Sequence, residues 1–238
     1  MGKRWIRVGA LALSTMAVGA VLLSSCNRGK GEKGEYTYRD TYETAPSTWN
    51  PHTYRTSEDA YVNGYTTLGL YEFFFKDDFS GYELRPEMAS AEPVDVTEKY
   101  KSEAKWEIPA DADSGYAYEI SLNPLAKWED GTPINAETYV YSMERLLSPE
   151  LLNYRASNYY TGNLVIKNAE GYNLGGSDEQ AEDVPFSDVG IFETGEYTFT
   201  IVLEKALKGF QLLYSLTDNW IVKKDLYEQS VSGGAGYN

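Results

Sequence analysis

The chain has almost no cysteine or histidine, and this shortage excludes several kinds of chemistry. Its 238 residues contain one cysteine, Cys26, and one histidine, His52. One cysteine cannot form an intramolecular disulfide bond. With one histidine and no serine in a Gly-x-Ser-x-Gly turn, the sequence offers no pair of base and nucleophile for covalent catalysis. We therefore expect no catalytic residue, and His52, beside a proline, is expected to be structural.

The sequence also shows no metal or cofactor motif. Residues 111–115 supply the first acidic positions of a calcium loop. However, Tyr116 stands at the sixth position, where the loop needs glycine, and Leu122 at the twelfth, where it needs glutamate. We interpret the segment as a solvated turn and expect no metal and no cofactor.

Basic residues are scarce. Lysine and arginine number 21 against 36 aspartates and glutamates, which gives a formal net charge of −15. Binding to nucleic acid needs a basic surface, so nucleic acid is excluded as a partner. Anionic lipid also repels an acidic surface, so any attachment of this chain to a membrane requires an anchor.

Long apolar runs are missing except at the start of the chain. Lys3, Arg4 and Arg7 precede an apolar run over residues 8–23, which is the pattern of a signal peptide over residues 1–25. The sequence Leu-Ser-Ser-Cys that ends at Cys26 resembles the bacterial lipobox, which predicts a lipid-attachment site at Cys26. The alternative is a signal-peptide cysteine that is removed with the apolar run. Residues 26–34 contain Gly, Lys and Glu and are predicted to be a flexible tether.

The remaining chain mixes strand and helix patterns, which favours an α/β or α+β fold. Alternating or aromatic segments predict strands, and spacings of three and four residues predict helices. The predicted strands are residues 35–40, 70–75, 116–122, 197–203 and a short one from Ile221 towards Tyr227 that leads into a turn or helix. The predicted helices are one that Ser57 caps, with Tyr61, Tyr65 and Leu68 on one face, and one over residues 209–216.

The segment over residues 128–149 is the most informative part of the chain. Asp130-Gly131 predicts a tight turn, Asn135 a helix N-cap, and Ser148-Pro149 the end of that helix. Four apolar residues, Tyr139, Met143, Leu146 and Leu147, would share one helix face. The 21 tyrosines of the chain favour β-rich structure, and the alternative is an aromatic-lined cleft for peptides or sugars.

This segment closely resembles the signature of the bacterial extracellular solute-binding proteins of family 5, the substrate-binding lipoproteins of oligopeptide and dipeptide ABC importers. Further segments resemble the same family in the same order, namely residues 49–52, 70–72, 84–89, 116–125, 195–207 and 222–227. The chain departs from the family pattern at Phe73 and Phe74, at Met88, and at Ala206-Leu207, where a proline is usual.

The resemblance implies an α/β fold of the periplasmic-binding-protein type II kind, bilobed and with an inserted extra domain. It places the first lobe at residues 35–62 and 184–238 and the inserted domain at residues 63–183. The second lobe and the last crossover would follow residue 238, so the chain is expected to be an amino-terminal portion, truncated before the second lobe, that binds peptide weakly or not at all.

The resemblance also implies a function. Family members hold a peptide as an extended strand between the lobes, largely through main-chain pairing. The corresponding loop here is Tyr54, Arg55, Thr56 and Ser57, and its alternative is an ordinary loop with a helix cap. Asn219 and Trp220 would form another wall of the cleft, and their alternative is a turn with a packed tryptophan. The expected partners are an oligopeptide, an ABC permease complex and, through the lipid anchor, the membrane, with a monomeric protein on the outer face of the cytoplasmic membrane or in the periplasm.

Other functions remain open at this stage. Proteins of the same architecture bind nickel chelates, haem or oligosaccharides. A secreted glycoside hydrolase would use aromatic residues and carboxylates, although no framed pair of acids stands out. A receptor lipoprotein could keep the fold without a transporter.

Overall fold

The computed structural model describes residues 38–175 and 184–232. The predicted signal peptide at residues 1–25, the lipid site at Cys26 and the tether at residues 26–34 all lie outside these residues. The chain divides into two units, Met1–Glu43 and Thr44–Asn238. In the first unit, residues 38–40 are the described part of the strand predicted over residues 35–40. These three residues lie in no strand. No helix in the described ranges is long and apolar enough to cross a membrane.

The second unit contains short strands and helices in mixed order. The strands are β1 (Tyr71–Phe75), β2 (Tyr82–Pro86), β3 (Val94–Asp95), β4 (Ala117–Ser121), β5 (Ile191–Gly195) and β6 (Thr198–Val202). The helices are α1 (Ser57–Asn63), α2 (Thr97–Tyr100), α3 (Ala136–Leu147), α4 (Asn158–Thr161), α5 (Ala169–Leu174), α6 (Gly209–Ser215) and α7 (Lys224–Ser232). Short 3₁₀ turns lie at Ala104–Trp106, Tyr154–Ser157 and Phe186–Asp188.

The centre of this unit is an antiparallel sheet with the strand order β3-β4-β6-β5. The predicted strands at residues 116–122 and 197–203 are confirmed as β4 and β6, with Ile120 opposite Phe199. Strands β3 and β4 come from the segment predicted to be the inserted domain, and β5 and β6 come from the segment predicted to be the first lobe. The two segments thus share one sheet, and their division into domains stays a prediction.

Both faces of the sheet are covered. One face carries Ile120 and Phe199 and packs into the main core with α3. The opposite face carries Ala117 and Val202 and packs against a smaller cluster around Trp106. The Trp106 ring stacks on Phe192 of β5, with ring centroids 5.4 Å apart. Alternation along each strand therefore buries apolar side chains in two separate layers.

Helix α3 has the cap, the buried face and the end that the sequence predicts. The Asn135 side chain accepts a hydrogen bond from the Thr138 amide and caps the helix. The four residues predicted to share one face are all buried, and the helix ends before Ser148. Gly131 has φ +87°, which confirms the predicted tight turn.

The aromatic segment at residues 70–75 forms a strand, as predicted, but it is not buried. Strands β1 and β2 make a two-stranded ribbon outside the main sheet. Tyr71 is buried, whereas Phe73 is 45% and Phe75 56% exposed. A two-stranded ribbon has no second layer over most of its surface, so the prediction of burial is wrong.

Two local predictions need correction, and one is confirmed. Thr56, not Ser57, caps α1, and the helix buries Asp59 and Asn63 rather than the face of Tyr61, Tyr65 and Leu68. Residues 221–223 form no strand, and the helix α7 follows them directly. The helix predicted over residues 209–216 is confirmed as α6.

Candidate functional site

The loop that contains Tyr54–Ser57 is fixed at its start by His52. The His52 ring is fully buried, and its Nε2 lies 2.7 Å from the carbonyl oxygen of Trp220. A carbonyl oxygen can only accept, so Nε2 carries the proton. Burial lowers the pKa of His52 to about 4, and this outweighs the opposite effect of the Trp220 carbonyl, so the ring is neutral at pH 7. The prediction of a structural role for His52 agrees with this geometry.

The other end of the loop is fixed by the buried carboxylate of Asp59. It accepts hydrogen bonds from the amides of Arg55 and Thr56, both at 3.2 Å, and from the amide and hydroxyl of Ser47. Burial by itself would raise the pKa of Asp59, but these hydrogen bonds outweigh burial and hold the pKa well below its usual range. The loop is therefore held by a carboxylate of helix α1 that is ionised at neutral pH.

A second network lies beside this loop. The Asp218 carboxylate accepts two hydrogen bonds from the Arg155 guanidinium, at 2.7 and 2.9 Å, and one from the Tyr159 hydroxyl at 2.9 Å. The Arg155 guanidinium also stacks on the Tyr54 ring, 3.9 Å from its centroid. Burial, with a further contribution from the negative charge of Asp218, raises the pKa of Tyr159 well above its ordinary value. Tyr159 thus stays a neutral donor at all physiological pH values.

These elements enclose a cavity of about 190 Å³. Tyr54 and Asn219, two of the predicted site residues, both line it. The other lining residues are Pro51, Ala60, Asn63, Gly64, Thr67, Gly69, Glu72, Thr217 and Asp218. A neighbouring hollow of about 350 Å³ shares Thr217 and Asp218 with the cavity. The structure therefore brings together two segments that are about 160 positions apart in sequence.

The remaining predicted residues occupy different environments. The Arg55 guanidinium stacks over Tyr154, with 4.5 Å to the ring centroid. Thr56 caps α1 with its hydroxyl, and Ser57 is the exposed first residue of that helix. Trp220 is 1% exposed, and its indole N–H donates to the carbonyl oxygen of Tyr139. The side chain of Trp220 thus lies in the core and leaves no surface for the predicted cleft wall.

The main chain of the loop is only partly paired and leaves acceptors for a ligand. The amides of Arg55 and Thr56 already donate to Asp59. In the part of the chain that the structure describes, the carbonyl oxygens of Tyr54 and Arg55 accept no hydrogen bond. A ligand with N–H groups, such as an extended peptide, could donate to them. Within the described residues, no group of His, Cys, Asp and Glu side chains is placed to hold a metal ion.

Sequence reasoning missed Arg155 and Tyr159. Arg155 lies 63 positions from its partner Asp218, in a segment without clear periodicity. No local pattern links the two positions, so no signal in this single sequence could have paired them.

Two larger grooves, of about 590 and 580 Å³, flank α7 and share Trp128. Five of the seven charged side chains that line the first groove are paired with each other. Lys223 contacts Asp130 and Asp225, and Lys224 contacts Glu137. Neither groove is lined by a predicted site residue, so the cavity beside Tyr54 is the better candidate.

Comparison with known proteins adds an independent line of evidence. The model of the bacterial extracellular solute-binding proteins, family 5 (middle region), matches residues 83–232. The periplasmic oligopeptide-binding protein OppA of Salmonella typhimurium is 33% identical over 96 residues, which are 40% of this chain and 16% of the relative. The match therefore spans less than a fifth of the relative's length.

Solved structures resemble the chain in fold. The substrate-binding domain of an oligopeptide ABC transporter from Bacillus anthracis has a TM-score of 0.61 and 20% identity, over 80% of this chain and 30% of that one. The pheromone receptor PrgZ, solved to show its mode of peptide binding, has a TM-score of 0.57 and 21% identity, over 78% of this chain and 31% of that one.

Proposed function

The chain belongs to the bacterial extracellular solute-binding proteins of family 5, and from this membership we propose that it captures peptides outside the cytoplasmic membrane and delivers them to an ABC importer. The family predicted from the sequence is confirmed, and so is the α/β fold of the periplasmic-binding-protein kind. The family is one of extracytoplasmic solute-binding proteins and not of enzymes.

The observation that carries the peptide proposal is a fixed loop in which two carbonyl oxygens accept no hydrogen bond from the described residues and in which Tyr54 lines the cavity. The carbonyl groups of Tyr54 and Arg55 are held in place because His52 and Asp59 anchor the two ends of the loop. Main-chain acceptors recognise the N–H groups of any peptide, whatever its side chains. Similar proteins bear names that specify oligopeptides or peptide binding.

Delivery at the membrane would depend on lipid attachment at Cys26. We propose that the anchor, together with the tether over residues 26–34, keeps the domain near its permease. A net charge of −15 gives the surface itself little affinity for anionic lipid. Metabolic labelling with an alkyne fatty acid tests this point. The wild-type chain should be labelled and sediment with membranes, and Cys26→Ser should lose the label and become soluble.

The peptide proposal is tested with N-methylated ligands. Uniformly ¹⁵N-labelled protein is titrated with pentaalanine to millimolar concentration, and then with pentaalanines that carry one N-methyl group each. Pentaalanine should shift the amide signals of residues 54–57, and at least one N-methyl analogue should bind several-fold more weakly because it lacks a donor.

Other solutes serve as controls in the same titration. Maltotriose, a nickel–histidine chelate and haem should leave these signals unchanged. Shifts with one of these ligands and none with pentaalanine would replace the peptide by that solute class.

A receptor role without transport is the second candidate, because one protein of similar fold is named a pheromone receptor. Uptake of labelled peptide by cells with and without the gene separates the two roles. Uptake that depends on the gene supports import, and peptide binding without such uptake supports the receptor.

A further inference from the structure

Six exposed aromatic rings lie on the β1–β2 ribbon and helix α6 in two contact groups, which meet on one face of β1 because Phe73 and Phe75 are two residues apart. We call this surface the aromatic face, and its members are Phe73, Phe75, Phe79, Tyr82, Phe210 and Tyr214. The ring of Phe73 lies 6.5 Å from Phe210 and 6.1 Å from Tyr214, and the rings of Phe210 and Tyr214 stack at 5.8 Å. Phe75 lies 4.5 Å from Tyr82 and 6.0 Å from Phe79. Exposed apolar patches of this kind mark binding surfaces.

The two faces of the ribbon strands differ in charge. Cross-strand register places Phe73 opposite Leu84 and Phe75 opposite Tyr82, so these side chains share the aromatic face. The charged residues of the strands point the other way, with Arg85 paired to Glu83 over the Phe74 ring. The aromatic side of the ribbon strands thus carries no charged side chain, which fits an uncharged apolar group.

The aromatic face is fixed to the wall of the cavity beside Tyr54. The Leu70 amide, just before β1, donates to the carbonyl oxygen of Leu216 at 3.1 Å. Gly69 packs so closely on Thr217 that an added Cβ would overlap the Thr217 backbone. The ribbon is therefore attached to the segment that also carries Asp218 and Asn219.

The two surfaces are also continuous. Tyr214 lines the hollow of about 350 Å³ together with Thr217 and Asp218. Thr217 and Asp218 also line the cavity of about 190 Å³ with Tyr54. A path along the surface runs from Tyr54 through Asp218 to Tyr214 and Phe73.

We propose that the aromatic face is a specificity surface for the bound peptide. The face receives apolar or aromatic side chains from the part of the peptide that extends beyond the cavity. This inference rests on the proposed peptide-binding function. The occupant is a ligand residue and not a second copy of the chain, because a net charge of −15 opposes self-association. The same charge opposes docking on an anionic membrane.

The test compares peptides on two forms of the protein. Phenylalanine is placed in turn at each position of pentaalanine, and the affinities for the 238-residue chain are measured by ¹⁵N NMR titration. Phenylalanine in one or more positions should bind about tenfold more tightly than pentaalanine, since a ring would be partly buried. The variant Phe73→Thr with Phe210→Gln should lose this preference while its affinity for pentaalanine stays unchanged.

Both substituted side chains are exposed, so the fold is expected to be retained. Leu125→Gln serves as the control, because Leu125 is 81% exposed and lies outside the aromatic face. The control variant should keep the preference. Peptide binding without a phenylalanine preference, or a preference that survives the double substitution, overturns this inference and leaves the proposed function intact. Absence of any peptide binding overturns the proposed site beside Tyr54 and this inference with it, whereas the import function is tested by the gene-dependent uptake of labelled peptide. The wild-type chain could instead self-associate or bind phosphatidylcholine vesicles. If the double substitution abolishes such binding, the face has another occupant and the inference is overturned.

Discussion

His52 and Trp220, 168 positions apart, are joined by a hydrogen bond of 2.7 Å between the imidazole Nε2 and the backbone carbonyl oxygen. This bond ties the loop of the candidate site to the segment on the opposite side of the cavity. Within the described residues, the second ring nitrogen, Nδ1, has no partner. Protonation of His52 would therefore place a charge on a buried ring beside Arg155, whose positive charge also lowers the pKa of His52.

The first prediction concerns pH. Burial lowers the pKa of His52 from 6.5 to about 4, so between these values the unfolded chain binds a proton that the folded chain does not. The stabilisation of the fold by the neutral His52 ring is fully present above pH 6.5 and is lost as the pH falls towards 4. The free energy of unfolding, measured with urea, should fall by up to about 1.4 kcal/mol per pH unit in this window.

His52→Gln is the control for that experiment, because glutamine can donate to the Trp220 carbonyl and does not titrate. Its stability should change much less between pH 6.5 and 4. Carboxylates with lowered pKa, such as Asp130, act in the same direction towards the acidic end of this window, and both proteins share them, so the difference between wild type and His52→Gln reports His52. A wild-type stability that is constant across this window would contradict the buried, neutral state of His52.

The second prediction concerns the carboxylate that anchors the loop. Asp59→Asn replaces an ionised acceptor by an amide, which cannot accept all the hydrogen bonds from Ser47, Arg55 and Thr56. The free energy of unfolding should fall by about 3 kcal/mol. Glu58→Gln makes the same charge change in the same helical turn and should cost less than about 0.5 kcal/mol. Equal losses in the two variants would mean that net charge, and not the anchor, sets the effect.

The third prediction concerns the attachment of the ribbon. Gly69→Ala would place a methyl group against the Thr217 backbone, which cannot move without shifting Asp218. We expect a loss of about 2 kcal/mol in the free energy of unfolding, together with displaced amide signals of residues 217–219. Gly81→Ala, in the turn of the same ribbon, meets no atom within 4 Å and should change stability by less than about 0.5 kcal/mol. If Gly69→Ala is as stable as Gly81→Ala, the close approach does not constrain the site.

The fourth prediction is a gain in stability. Thr200 in β6 is fully buried, and its hydroxyl has no hydrogen-bond partner in the described part of the chain. Thr200→Val keeps the shape and removes the buried polar group, so it should raise the free energy of unfolding by about 1 kcal/mol. Thr198→Val, at a half-buried position of the same strand, should be close to neutral. A loss of stability in Thr200→Val would show that the hydroxyl is satisfied in solution.

Local elements could be predicted because their causes lie within a few residues. The cap at Asn135 and the buried face of α3 depend on spacings of three and four residues, and β6 depends on alternation. The candidate site was only partly predictable. Tyr54 and Asn219 came from the family resemblance, and the structure places both at one cavity. Arg155 has no such signal, because its partner Asp218 lies 63 positions away.

Burial was the weakest prediction, since it depends on what packs above an element. Residues 70–75 have the apolar composition of a buried strand, yet the ribbon leaves Phe73 and Phe75 exposed. Trp220 shows the opposite case, where a residue expected on a cleft wall lies in the core against Tyr139. Helix α1 buries Asp59 instead of Tyr61, because the carboxylate has donors from a loop that no helical pattern includes.

The sequence by itself determined the family, the acidic character of the chain, and the turns, caps and helix faces of elements such as α3, because these depend on composition and on neighbours along the chain. Only the tertiary structure decided that His52 meets Trp220, that Arg155 joins Tyr54 to Asp218, and that six aromatic rings stay at the surface. These relationships depend on long-range contacts and on which surfaces are covered by a second layer of secondary structure. The spacing of residues along one chain predicts neither.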